Sequence, residues 1–98
     1  MSVYLIVNAS VTNADSLTAY LSAVGETLES RDVDVLVSTR AAETIEGEPM
    51  GPRVVVMRFP DRDTFRDWYD SAEYQAIVGL RLEGTDGFAV LADGRDSR

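Results

Sequence analysis

Ninety-eight residues suffice for one domain, and dividing them would leave halves too small to bury a core. A net charge of −8 opposes nucleic-acid binding, which rests on cations displacing counterions from phosphates. Cys, His and Lys are absent and every basic residue is Arg. That excludes thiol nucleophiles, disulfides, Schiff bases and imidazole bases, and zinc is not expected.

The missing lysine also has a bland reading, in codon composition. No apolar run approaches the roughly 18 residues of a membrane span. The opening "MSVYLIVNAS" has neither the basic region nor the apolar length of a signal peptide, and a cytoplasmic location is the default expectation.

Residues 3–9, "VYLIVNA", are rich in β-branched and aromatic types and suit a strand. Leu17, Tyr20, Leu21, Val24 and Leu28 then fall on one stripe of a helix, with Thr12 or Asn13 as its cap and Asp15 in its first turn. "VDVLVSTR" (33–40) reads as a second strand. "AAETIEGEPMGP" (41–52), with two Gly and two Pro, reads as a loop. "RVVVMRF" (53–59) is the strongest strand signal. Pro60 ends it, and Asp61 caps a helix carrying Phe65, Trp68 and Tyr69. Ser71 and Glu73 restart a helix over "AEYQAIVGLRL", and "GFAVLA" (87–92) supplies a fourth strand.

The order β-α-β-β-α-β is the ferredoxin-like split pattern: an α+β sandwich with a four-stranded antiparallel sheet. One domain spans 1–94, and 95–98 form a polar tail expected to fray. Two helices cover one sheet face only, so the other should alternate with polar residues. These strands do not alternate. Tyr4 and Ile6 oppose Val3, Leu5 and Val7, while Val54 and Val56 oppose Val55, Met57 and Phe59. Both faces are apolar, and a second copy of the chain, in a two-fold homodimer, is the expected cover.

Glu46-Gly47, the Tyr4 strand and "RVVVMRFPDRDTFRDWYDSAEYQAIVGLR" resemble the DUF1330 family of the dimeric α/β-barrel superfamily. The matching positions are Phe59, Pro60, Trp68, Tyr69, Ser71, Tyr74 and Arg81. The family's Gly pairs around the second strand are missing from "SRDVDVLVSTRAAET", which keeps Arg40. The resemblance implies a dimeric α/β barrel and no particular activity.

A candidate pocket is expected between the sheet and Trp68–Arg81, with Tyr4 or Asn8 on its floor and the Glu46 loop at its mouth. Arg81 shares the apolar stripe of Tyr74, Ile77 and Val78. It either pairs with a carboxylate, Glu46 first and Glu43 second, or binds an anionic ligand group. Trp68 and Tyr69 are core aromatics or a ligand platform. Ser71 is a helix cap or a pocket residue. Asn8 begins a turn or faces the pocket, and Arg58 reaches solvent or does the same. Asp61, Asp63, Asp67 and Asp70 lack calcium-loop spacing, so no metal is expected. No cofactor, nucleic acid or membrane partner is expected either.

Three functions fit this inventory. One is a cofactor-free enzyme of isomerase or oxygenase type acting on a small aromatic or carboxylated molecule. Small oxygenases and isomerases of the resembled superfamily suggest it by analogy. The others are a binder of a small organic ligand without turnover, and a scaffold whose product is its dimer.

Overall fold

The computed structural model describes residues 2–97. The elements are β1 (Val3–Val11), α1 (Ala14–Leu28), β2 (Asp34–Thr39), β3 (Arg53–Phe59), α2 (Arg62–Tyr69), α3 (Ala72–Gln75), α4 (Val78–Gly84) and β4 (Thr85–Asp93). Polar caps set the helix starts. Asn13 accepts from the Ser16 amide at 3.1 Å and Asp61 from the Thr64 amide at 2.7 Å. Ser71 does the same for Tyr74 at 3.2 Å.

The helix expected after Ser71 is interrupted at Ala76–Ile77. The Ile77 amide bonds to Tyr74 O, three residues back, and tightens the turn. The β-branched pair Ile77-Val78, followed by Gly79, is a weak helix former.

The strands order as β2-β3-β1-β4, all neighbours antiparallel, giving the expected ferredoxin-like sandwich. The strands β1 and β4 are longer than their apolar runs because they pair all the way from Val3↔Asp93 to Val11↔Thr85. The expected barrel does not form. The sheet is open, with β2 and β4 as unpaired edges, and it does not curl closed. Four strands are too few for closure, since even a small filled barrel takes about eight.

One sheet face presents Val3, Leu5, Val7 and Ala9 beside Phe59, Met57, Val55 and Arg53. It packs with Leu17, Tyr20, Phe65, Trp68, Tyr74 and Val78 as the core. Fully burying each such large side chain contributes about 1.5–3 kcal/mol. The other face carries Ile6, Val54 and Val56 at its centre and Val37, Phe88 and Val90 toward its edges. Phe88 and Val90 are 48% and 47% exposed, so the grease expected on both faces is there.

The tail is tied to the first strand. The Gly94 amide bonds Ser2 O at 2.8 Å, and Asp96 accepts from the Ser2 amide at 3.2 Å, over a 3-10 turn at Arg95–Ser97. The remaining tail residue, Arg98, lies outside the described residues. Among those described, no helix is long and apolar enough to cross a membrane.

Candidate functional site

Between α1, the α2–α4 segment and the sheet lies a cavity of about 150 Å³. Leu5, Val7 and Ala9 of β1 form its floor with Val55 and Met57 of β3. Trp68, Tyr69 and Tyr74 form an aromatic wall, and the Trp68 and Tyr74 ring centroids are 4.0 Å apart. The mouth faces the sheet edge. Val35 and Ser38 of β2 and Leu21 of α1 all border the cavity and are exposed, because no helix reaches across to β2.

The polar end is built by alternation along β3. Arg53 shares the phase of Val55, Met57 and Phe59, so its side chain enters the helix-covered side and is only 6% exposed. Its nitrogens reach Ser38 Oγ at 3.4 Å and Thr39 O at 3.5 Å, both long. Burial, then the like charge of nearby Arg40, pull its pKa below the ordinary arginine value. From α4, partly buried Arg81 approaches the same end. Burial opposes its charge, but its electrostatic attraction to Tyr74 and hydrogen bond with that residue, then Tyr20 and Tyr69, more than offset this.

Tyr20 of α1 and Tyr74 of α3 meet in the cavity wall, their hydroxyls 2.8 Å apart, with both arginines within electrostatic reach of Tyr20. Burial first, then Tyr74, push the Tyr20 hydroxyl pKa far above the usual tyrosine value, so it stays protonated. No Asp or Glu borders the cavity. Nor does any described carboxylate lie within ion-pair distance of Arg53 or Arg81. The expected Arg81–Glu46 and Arg81–Glu43 pairs are therefore absent, and both glutamates sit exposed on the 41–52 loop.

Of the residues considered from sequence, Trp68, Tyr69, Tyr74 and Arg81 line this cavity. Arg40 stands outside it, near Arg53. Ser71 spends its hydroxyl on Trp68 O at 2.7 Å and on capping α3. Tyr4, Asn8 and Arg58 lie on the opposite sheet face, one residue out of phase with the cavity floor. There Arg58 pairs with Asp34 at 2.7 Å.

Asn8 anchors the loop instead. It accepts from the Met50 amide at 2.9 Å and donates to Gly51 O at 2.9 Å and Arg53 O at 3.1 Å. Gly51 is required at this crossing, since a Cβ would collide with the Ala9 backbone. Arg53, Tyr20 and Ser38 were not singled out by sequence. Extending the β3 alternation by one step, from Val55 back to Arg53, would have found the first. Among the described residues no group of three or more Asp, Glu, His or Cys could hold a metal.

The sequence matches the family described as "Domain of unknown function (DUF1330)" over residues 2–95. The chain belongs to the DUF1330 family. The DUF1330 fold recurs in a protein of unknown function from Rhodopseudomonas palustris, RPA0582, with TM-score 0.80 at 13% identity, covering 95% of this chain and 82% of that one. It recurs in SnoaB, a cofactor-independent oxygenase from Streptomyces nogalater, with TM-score 0.65 at 11% identity and coverages of 96% and 93%. A putative antibiotic biosynthesis monooxygenase from Nitrosomonas europaea gives TM-score 0.57 at 17% identity, with coverages of 96% and 90%. These likenesses establish the fold. No curated protein sequence matches the chain.

Proposed function

We propose that the cavity binds a small aromatic or carboxylated molecule and that the protein transforms it as a cofactor-free enzyme of oxygenase or isomerase type. The observation that carries this reading is that two guanidiniums, Arg53 and Arg81, line one apolar cavity with no carboxylate to neutralise them. Uncompensated buried charge is costly, and a bound anion removes the cost.

The chemistry follows from the residues at hand. With no His, Cys or Lys in the chain, proton handling inside the cavity falls to Tyr20 and Tyr74, with arginine as a fixed cation. A substrate acidic enough to ionise in water would leave its proton with the solvent and enter as an enolate or phenolate, which Arg53 and Arg81 stabilise electrostatically. Such an electron-rich anion can be reprotonated elsewhere, an isomerisation, or can react with dioxygen. The shared fold with a cofactor-independent oxygenase supports the second course.

Binding without turnover is the second reading, favoured by the lack of any lining carboxylate to act as a base. A thermal-shift screen of single-ring aromatic acids, followed by oxygen-uptake and product analysis of each hit, separates the two. Hits that are consumed support the enzyme. Hits that never turn over leave the binder, and the absence of any hit overturns both. We also infer that a second copy covers the open sheet face. The apolar row Val37, Val56, Ile6 and Val90 across the open face, exposed at Val37 and Val90 and flanked by exposed Phe88, supports that partner.

A further inference from the structure

The hydroxyls of Tyr20 and Tyr74 hold two protons, and their 2.8 Å contact uses one of them. The second has no described protein acceptor: neither hydroxyl makes another hydrogen bond to a carbonyl or carboxylate. Either hydroxyl can be the donor in that contact. One O–H of the pair, on Tyr20 or on Tyr74, therefore remains free at the cavity wall, which both residues line.

Its neighbours there are also donors. Arg53 and Arg81 carry only N–H groups. The Trp68 Nε1–H is already committed to Thr27 Oγ1 at 2.8 Å, and the Thr85 hydroxyl to Arg81 O at 2.8 Å. No Asn, Gln, Asp or Glu side chain borders the space. The polar end is thus almost purely a donor surface bearing two positive charges. The whole cavity is about 150 Å³, a size that accommodates one benzene ring.

Resting on the reading that the cavity binds a ligand, we propose that it selects a one-ring aromatic carboxylate. Arg53 and Arg81 receive the carboxylate, and the O–H left over by the Tyr20–Tyr74 contact donates a hydrogen bond to it. The tyrosine that donates is then the specificity contact and the other its positioning residue. Charge-assisted bonds of this kind are about twice as strong as neutral ones. A ligand that brings donors leaves the site's own donors unmatched and is rejected.

The test is calorimetric titration of the full chain with four probes of one shape: toluene, benzoate, benzamide and benzylammonium. Benzoate is expected to bind at least roughly tenfold more tightly than benzamide, and benzylammonium not at all. This comparison needs no variant. In Y74F or in Y20F, whichever removes the donating hydroxyl, benzoate is expected to weaken about tenfold while toluene changes little. The other variant weakens benzoate by a smaller factor, because the first contact survives.

Benzamide binding as tightly as benzoate, or benzoate affinity unchanged in both Y20F and Y74F, overturns the proposal. Toluene binding without benzoate overturns it too and leaves the cavity intact as a ligand site. Failure of toluene and benzoate alike removes the cavity reading itself.

Discussion

The indole Nε1 of Trp68 donates to Thr27 Oγ1 at 2.8 Å, and that hydroxyl donates onward to Val24 O at 2.6 Å. Trp68 is fully buried and Thr27 nearly so, which makes this chain the polar link that locks α2 against α1. Thr27→Val keeps the shape and strands the indole N–H. A loss of about 1–3 kcal/mol is expected in urea unfolding, with the slope unchanged. An unchanged midpoint would show that the indole finds another acceptor.

Asn8→Ala removes three hydrogen bonds that hold residues 50–53 against β1. Hydrogen exchange should show the Met50 amide losing protection, while amides in the middle of β1 keep theirs. Because Arg53 begins just after this anchor, ligand affinity should fall as well, although Asn8 points away from the cavity.

Arg53→Met should separate stability from function. The guanidinium is buried without a carboxylate, and an apolar side chain of similar length fits the surrounding Val55, Met57 and Tyr20. Stability is expected to hold or to rise by up to about 2 kcal/mol. Benzoate affinity, measured by calorimetry, should fall at least roughly tenfold. A strongly destabilised variant that still binds benzoate would reverse the assignment.

The raised pKa of Tyr20, caused by burial and then by Tyr74, has a signature at high pH. The unfolded chain ionises this hydroxyl near pH 10, while the folded protein keeps the proton. Above that pH the unfolded state binds fewer protons, so stability falls as pH rises; below it the contribution is whole. Tyr20→Phe should flatten this decline, as read from urea midpoints between about pH 9 and pH 11. An equally steep decline in the variant would assign the alkaline loss to other groups.

The proposed second copy predicts light scattering at twice the 10.7 kDa chain mass, and unfolding that depends on protein concentration. Val90→Glu, on the open face and 47% exposed, should restore the single-chain mass. A single-chain mass already present at micromolar concentration would defeat the dimer.

Much of the fold was legible because local signals agreed with one another. Val54 to Phe59 could only be a strand, and Asn13, Asp61 and Ser71 stood where caps belong. The grease on both faces of β1 and β3 was legible for the same reason. Closure into a barrel was not, since apolar faces state what must be covered and say nothing of whether edges join. For the candidate site, helical spacing set Tyr74 and Arg81 on one stripe, and both border the cavity beside Trp68 and Tyr69. Tyr4, Asn8 and Arg58 lie on the other sheet face from this cavity, because a strand reverses its faces at every residue, and both faces here are rich in apolar types. Nothing local says which of them the helices cover. Tyr20 looked like ordinary core because its partner Tyr74 is 54 positions away.

The two cavity arginines sit inside a molecule whose seventeen acidic residues outnumber its nine basic ones. A carboxylate approaching from solvent therefore meets repulsion at long range and attraction only once it has passed Ser38 at the mouth. Mobile ions weaken the first force over about 8–10 Å and hardly reach the second. Moderate salt should accordingly speed the capture of an anionic ligand, the reverse of ordinary electrostatic steering, while its release rate stays nearly constant.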